Sequence, residues 1–164
     1  MRPPGRDLTH DELLAYVREL AARPQLWAPR VKHDPDARIF RSFELDAHVE
    51  TWVISWMAGH DTGFHDHDMS SGAVAVVRGA VREDRLRIGA RPASRVVAAG
   101  GSFSFDPTDI HRVSHHGTDP AVSVHAYSPP LRRMGAYIVE DGGTLSRRPL
   151  GYGEELRSLD AVPS

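Results

Sequence analysis

Two histidines one residue apart, His65 and His67, stand in the stretch GHDTGFHDHDMSSGAVAVVRG, which runs from Gly59 to Gly79. Side chains alternate faces along an extended chain, so both imidazoles project to one side. Two neutral imidazole nitrogens presented together suit a single metal ion. Gly59 and Gly63 bring the chain into this stretch and Gly79 turns it out. A third ligand must come from elsewhere, and the best candidate is His111, in GGSFSFDPTDIHRV. Three imidazoles on one face of a metal leave adjacent positions open, which suits holding a substrate and dioxygen side by side. On its own, His-x-His reads equally well as an exposed strand face; the glycine frame and the later histidine favour the metal. Among the other histidines, His60 lies in the glycine loop and is placed near substrate. His115 and His116 precede Gly117 and read as an exposed turn.

These residues need a rigid frame. Thr9 stands three residues before Glu12, the spacing of a capping box, and Leu13, Leu14, Val17 and Leu20 repeat at helical intervals. The helix is expected to end at Pro24, its apolar stripe packed on a core. From Arg38 the texture changes to short strands: Arg38–Leu45, Glu50–Met57, the valine-rich run Ala73–Val77 with both faces buried, Val81–Ile88, Arg95–Ala98, Ser102–Phe105, Ile110–Ser114, Ala121–Tyr127 and Gly135–Val139. Asp46-Ala47 makes the turn of the first pair, and Trp52, Ile54 and Trp56 share one strand face. Glycines and prolines punctuate the strands closely, as in a sandwich or barrel. The domain is expected to span 9–140, helix included, after a flexible N-terminus (1–8). A C-terminal extension (141–164) follows, Gly-rich and then polar, with a short helix near Glu154–Leu159.

At 164 residues the chain fits one domain with a real core. It has no cysteine, which excludes disulfides, thiolate metal sites and cysteine nucleophiles, while ten histidines are many for this length. A net charge of −2 with mixed signs gives no reason to expect nucleic acid as a partner. No run approaches membrane-spanning length, and MRPPGRDLTHDELL carries no apolar signal core, so a cytoplasmic protein without membrane partners is expected, with a monomer as the default.

The pattern Gly59-x5-His65-x-His67-x4-Gly72-x6-Gly79 resembles the first cupin motif, with Gly72 where the usual glutamate ligand stands. Gly101-x5-Pro107-x3-His111 resembles the second motif, one residue short. The glutamate-free form, followed by HRV and by Ser123-x-His125-x-Tyr127-Ser128-Pro129-Pro130, resembles the cysteine dioxygenase family of thiol dioxygenases, bacterial type, from about Arg38 to Tyr137. The resemblance implies an all-β fold, a small jelly-roll barrel of the cupin type with an N-terminal helix. It implies Fe(2+) held by His65, His67 and His111, and addition of O2 to the sulfur of a small thiol, foremost L-cysteine, to give a sulfinate.

Further roles follow from the same resemblance. Ser123 orients His125, His125 hydrogen-bonds the Tyr127 hydroxyl, and the phenol faces substrate and dioxygen. Alternation puts these three on one strand face, opposite Val122, Val124 and Ala126. Trp56 matches a tryptophan packed near the site. In some members, chiefly animal ones, the tyrosine is crosslinked to a cysteine; Gly72 stands at that position here and the chain has no cysteine, so the crosslink cannot form. Arg41, in FRSF, falls where cysteine-specific members carry a carboxylate-binding arginine, with Arg38 as the rival across a hairpin of different length. The family's nearby tyrosine is absent, since Ile39 occupies its place. Two other classes fit the histidines alone: a zinc or nickel cupin acting as a Lewis acid, and a non-catalytic cupin that only holds a ligand. Dioxygenation of another thiol, such as 3-mercaptopropionate or a larger one, is the alternative within the family.

Overall fold

The computed structural model describes residues 5–140 and 142–151. The expected short helix at Glu154–Leu159 lies outside the described residues. Helix α1 (His10–Ala21) begins as its cap predicts: the Thr9 hydroxyl accepts from the Glu12 backbone N–H, and the Glu12 carboxylate accepts from that of Thr9. The helix ends at Ala21, before Pro24. That proline instead opens a second short helix, α2 (Pro24–Trp27), at the first-turn position where its missing N–H costs nothing.

Among the described residues eleven strands follow: β1 (Ile39–Leu45), β2 (Glu50–Trp56), β3 (His65–Asp66), β4 (Ser71–Arg78), β5 (Ala80–Arg87), β6 (Ala90–Ala98), β7 (Ser102–Phe105), β8 (His111–His116), β9 (Ala121–Ser128), β10 (Arg133–Val139) and β11 (Leu145–Gly151). They form two antiparallel sheets, ordered β1-β2-β9-β4-β7 and β11-β10-β3-β8-β5-β6. This is the jelly roll of the cupin fold. His115 and His116 end β8 instead of forming a turn, because β5 extends the pairing to Ala80↔His116. The segment Leu145–Gly151, read from sequence as polar extension, pairs along its whole length with β10 and buries Leu150.

Two apolar clusters account for the stacking. Between the sheets lie Trp56, Val74, Val76, Val81, Phe103, Phe105, Val113 and Tyr127. On the outer side of the first sheet, Leu13, Tyr16, Val17 and Leu20 of α1 cover Val53, Ala73, Ala75, Val122, Val124 and Ala126. Strands β4 and β9 are therefore buried on both faces, each fully buried valine contributing on the order of 1.5–3 kcal/mol. With α1 outside, the alternate residues of β9 (Ser123, His125 and Tyr127) must look inward. No helix among the described residues is long and apolar enough to cross a membrane.

Candidate metal centre

His65 and His111 are direct cross-strand partners between β3 and β8, so their imidazoles stand on one face of the sheet. His67 joins them from just beyond β3. One ligand nitrogen from each of the three lies within 4.8 Å of the others, and all three residues are buried. His65 Nδ1 is 3.0 Å from the Gly63 carbonyl and His111 Nδ1 is 2.9 Å from Glu83 Oε1. Carbonyl and carboxylate oxygens only accept, so each Nδ1 carries the proton and each Nε2 is left with its lone pair. His111 Nε2 is buried without a hydrogen-bond partner among the described residues. Buried polar atoms are rarely left so, and a metal ion is the group this donor set fits.

Burial, the largest cause, holds all four interior histidines below the ordinary imidazole range: His65 to about 4, His125 to about 3, and His67 and His111 well below. Arg38 lowers His65 and His125 further. The cluster is thus neutral near pH 7 and ready to ligate without losing protons.

Glu83 is the partner that sequence reasoning missed. It is 2% exposed on β5, opposite Val113 of β8, and Arg85 Nη2 (3.1 Å) and Arg95 Nε (2.6 Å) donate to its two oxygens. A carboxylate behind a ligating histidine fixes its tautomer and raises its basicity. The register of β5 on β8 makes this contact, and no local motif announces it.

Across the cavity, Trp56 Nε1 donates to Ser123 Oγ (2.8 Å), Ser123 Oγ lies 2.7 Å from His125 Nε2, and His125 Nδ1 lies 3.2 Å from the Tyr127 hydroxyl. The Tyr127 ring is 5.3 Å from that of His67, centroid to centroid, which joins this chain to the histidine cluster. Burial and then Glu50 push the Tyr127 phenol well above its ordinary range, so it stays protonated. Trp56 supports the chain from beneath.

Gly72 leaves no room for a fourth ligand at its own position. A Cβ there would sit 2.1 Å from Phe105 Cζ. The Phe105 ring, stacked on His67 at 4.4 Å and tilted against His111 at 4.4 Å, fills the room of a glutamate or a cysteine.

Two of the expected substrate contacts lie elsewhere. Arg41 pairs with Val53, whose side chain packs under α1, so Arg41 stands on the outer face; it is exposed and donates to the Phe40 carbonyl. Arg38, an odd number of residues away, is on the opposite face: it is 7% exposed, its guanidinium 5.1 Å from the Trp56 ring centroid. The structure thus puts Arg38, not Arg41, beside the cluster. His60 is engaged by backbone at both ring nitrogens, accepting from Met57 N–H (3.0 Å) and lying 3.3 Å from the Pro35 carbonyl. It ties down the loop ahead of β3.

The family model described as cysteine dioxygenase type I matches residues 6–139. Cysteine dioxygenase type 1 of Danio rerio is 27% identical over 134 residues, covering 74% of this chain and 66% of that protein. The Homo sapiens protein of the same name is 24% identical over 149 residues, covering 84% of this chain and 74% of its own length. Among solved structures, an uncharacterized Klebsiella pneumoniae protein with a double-stranded beta-helix domain superposes with TM-score 0.55 at 14% identity, over 73% of this chain and 91% of that one. With the family model spanning most of the sequence and a histidine cluster inside the matching fold, the chain belongs to the cysteine dioxygenase type I family.

Proposed function

We propose that this protein is an iron(II)-dependent thiol dioxygenase that adds both atoms of O2 to the sulfur of a small thiol. The thiol RSH and O2 become RSO2H, so both oxygens end on sulfur and no external reductant is consumed. The observation that carries the reading is a buried cluster of three histidines, with no carboxylate ligand among the described residues, facing Tyr127, in a chain of this family. Iron(II), when bound, would supply adjacent positions for sulfur and O2, with its full divalent charge favouring an anionic sulfur.

The chain's own groups orient the reactants. The Trp56 N–H can only donate, so Ser123 Oγ accepts from it and directs its own proton to His125 Nε2. His125 then carries its proton on Nδ1 and donates to the Tyr127 oxygen, leaving the phenolic O–H to donate into the cavity. Its raised pKa keeps that proton in place. Arg38 supplies the cation for a substrate carboxylate, as a planar two-pronged donor. That favours L-cysteine or 3-mercaptopropionate over a thiol without a carboxylate.

Protein purified without oxygen, analysed for metal and then assayed for oxygen uptake over a panel of thiols, tests the reading. Iron with thiol-dependent uptake is expected, and His111→Ala should lose both. Zinc or nickel without thiol-dependent uptake, or a metal-loaded protein that binds thiols without turnover, would overturn it.

A further inference from the structure

His65 and His111 are each held by a strand ladder and by a hydrogen bond at Nδ1, but His67 has neither. Strand β3 ends at Asp66, and His67 Nδ1 has no partner among the described residues. What surrounds His67 is a turn: Asp68 N–H donates to Asp66 Oδ1 (3.0 Å) and Ser70 N–H to the His67 carbonyl (2.9 Å). Asp68 has φ 54, a left-handed conformation uncommon outside glycine.

We propose that Arg147, on β11, is a positioning residue for His67 that acts through the two carboxylates flanking it. This rests on the metal reading above. Arg147 Nε donates to Asp66 Oδ2 (2.8 Å) and Nη2 to Asp66 Oδ1 (2.9 Å), and Nη2 also lies 3.6 Å from Asp68 Oδ1. One guanidinium therefore grips the residues on both sides of His67. Asp66 is 7% exposed and faces away from the cavity, opposite its neighbours. It also accepts from the Tyr137 hydroxyl (2.6 Å) and Gly135 N–H (3.1 Å). To reach it, Arg147 crosses the intervening β10 over Gly135, where a Cβ would lie 2.2 Å from Arg147 Nε. The missing side chain at Gly135 and the path of Arg147 are two views of one contact. A planar two-pronged cation on a mostly buried carboxylate fixes an angle as well as a distance, and here the angle is that of the turn carrying a metal ligand. The segment that looks like polar extension in sequence thus becomes part of the metal centre.

The test compares the affinity for Fe(II), and the visible spectrum of the Co(II)-loaded protein, in wild type, Arg147→Met, Arg147→Lys and Leu150→Ala. Leu150 is buried on the same strand in the apolar cluster between the sheets, an odd number of residues from Arg147 and so on the opposite face, and it controls for the docking of β11. Arg147→Met should weaken metal binding about 10–100-fold and change the Co(II) spectrum, with Arg147→Lys intermediate. Leu150→Ala should lower the thermal midpoint and leave both metal readouts near wild type. In an Asp66→Asn background, Arg147→Met should add little. Equal loss of affinity in Arg147→Met and Leu150→Ala, or wild-type affinity in Arg147→Met, would overturn the role of Arg147 alone. If Arg147→Met does not fold, Arg147→Lys decides, and wild-type affinity and spectrum there would overturn the role. A wild-type chain that binds neither Fe(II) nor Co(II) would overturn the metal reading, and this role with it.

Discussion

Replacing Arg38 by glutamine separates the two arginines that the sequence offers as a carboxylate anchor. Arg38 is 7% exposed and its guanidinium lies over Trp56, so a carboxylate meeting it does so away from bulk water. A charge-assisted contact of this kind is worth about 1.5–3 kcal/mol, or roughly one to two powers of ten in apparent affinity. Arg38→Gln keeps a donor and removes the charge, so cysteine and 3-mercaptopropionate should weaken by that factor. Cysteamine, which lacks the carboxylate, should hardly change. Arg41→Gln should be nearly silent, because that side chain stands in solvent on the outer face, where substitutions usually stay within about 0.5 kcal/mol. The assay is initial-rate oxygen uptake against thiol concentration, with metal content and thermal midpoint measured on each variant. Those controls matter because loss of the cation–π contact alone can cost about 1–2 kcal/mol of stability. Equal weakening of cysteamine and cysteine, or a strong effect of Arg41→Gln on cysteine alone, would refute the assignment.

Three other outcomes are expected. Tyr127→Phe should keep its metal but slow sulfinate formation or uncouple it from oxygen uptake by about 10–100-fold, read by comparing oxygen consumed with sulfinate formed; unchanged rate and coupling would make the hydroxyl structural. Glu83→Gln should weaken metal binding by about 10–100-fold through His111, measured by competition with a chelator. Metal-free protein should lose stability as pH falls. His65 titrates at about 4 and His125 at about 3 when folded, against about 6.5 unfolded. The unfolded chain therefore binds more protons below about pH 6.5, and each histidine removes up to about 1.4 kcal/mol per pH unit from there down to its folded pKa. Thermal midpoints that stay flat between about pH 7 and 5 would contradict the burial of neutral histidines.

The parts of the site that declare themselves in sequence are those whose geometry follows from local alternation. His65 and His67 share a face, and so do Ser123, His125 and Tyr127, once β9 is sandwiched between α1 and the cavity. His111 was reachable through its Pro-turn motif, and the capping box placed the start of α1. The rest depends on register and on long side chains crossing strands. Arg38 and Arg41 differ in face by an odd spacing, but which face looks inward is decided by the pairing of Ile39 with Ser55 in the adjacent strand. Glu83 meets His111 only because β5 lies beside β8 in a particular register. Arg147 sits in a stretch without hydrophobic periodicity, and its importance comes from Asp66 two strands away. His60 looked available in a glycine loop, yet backbone groups take both its nitrogens.

A three-histidine cluster that directs both atoms of one dioxygen molecule to a thiol sulfur leaves an isotopic record in the product. Anaerobically prepared iron-loaded protein, given cysteine and then 18O2, tests it most directly by mass spectrometry of the product. Cysteine sulfinate carrying two heavy oxygens is expected, with one dioxygen consumed per sulfinate and none formed by His111→Ala. A disulfide product, a sulfinate with oxygen from water, or full activity in His111→Ala would contradict it.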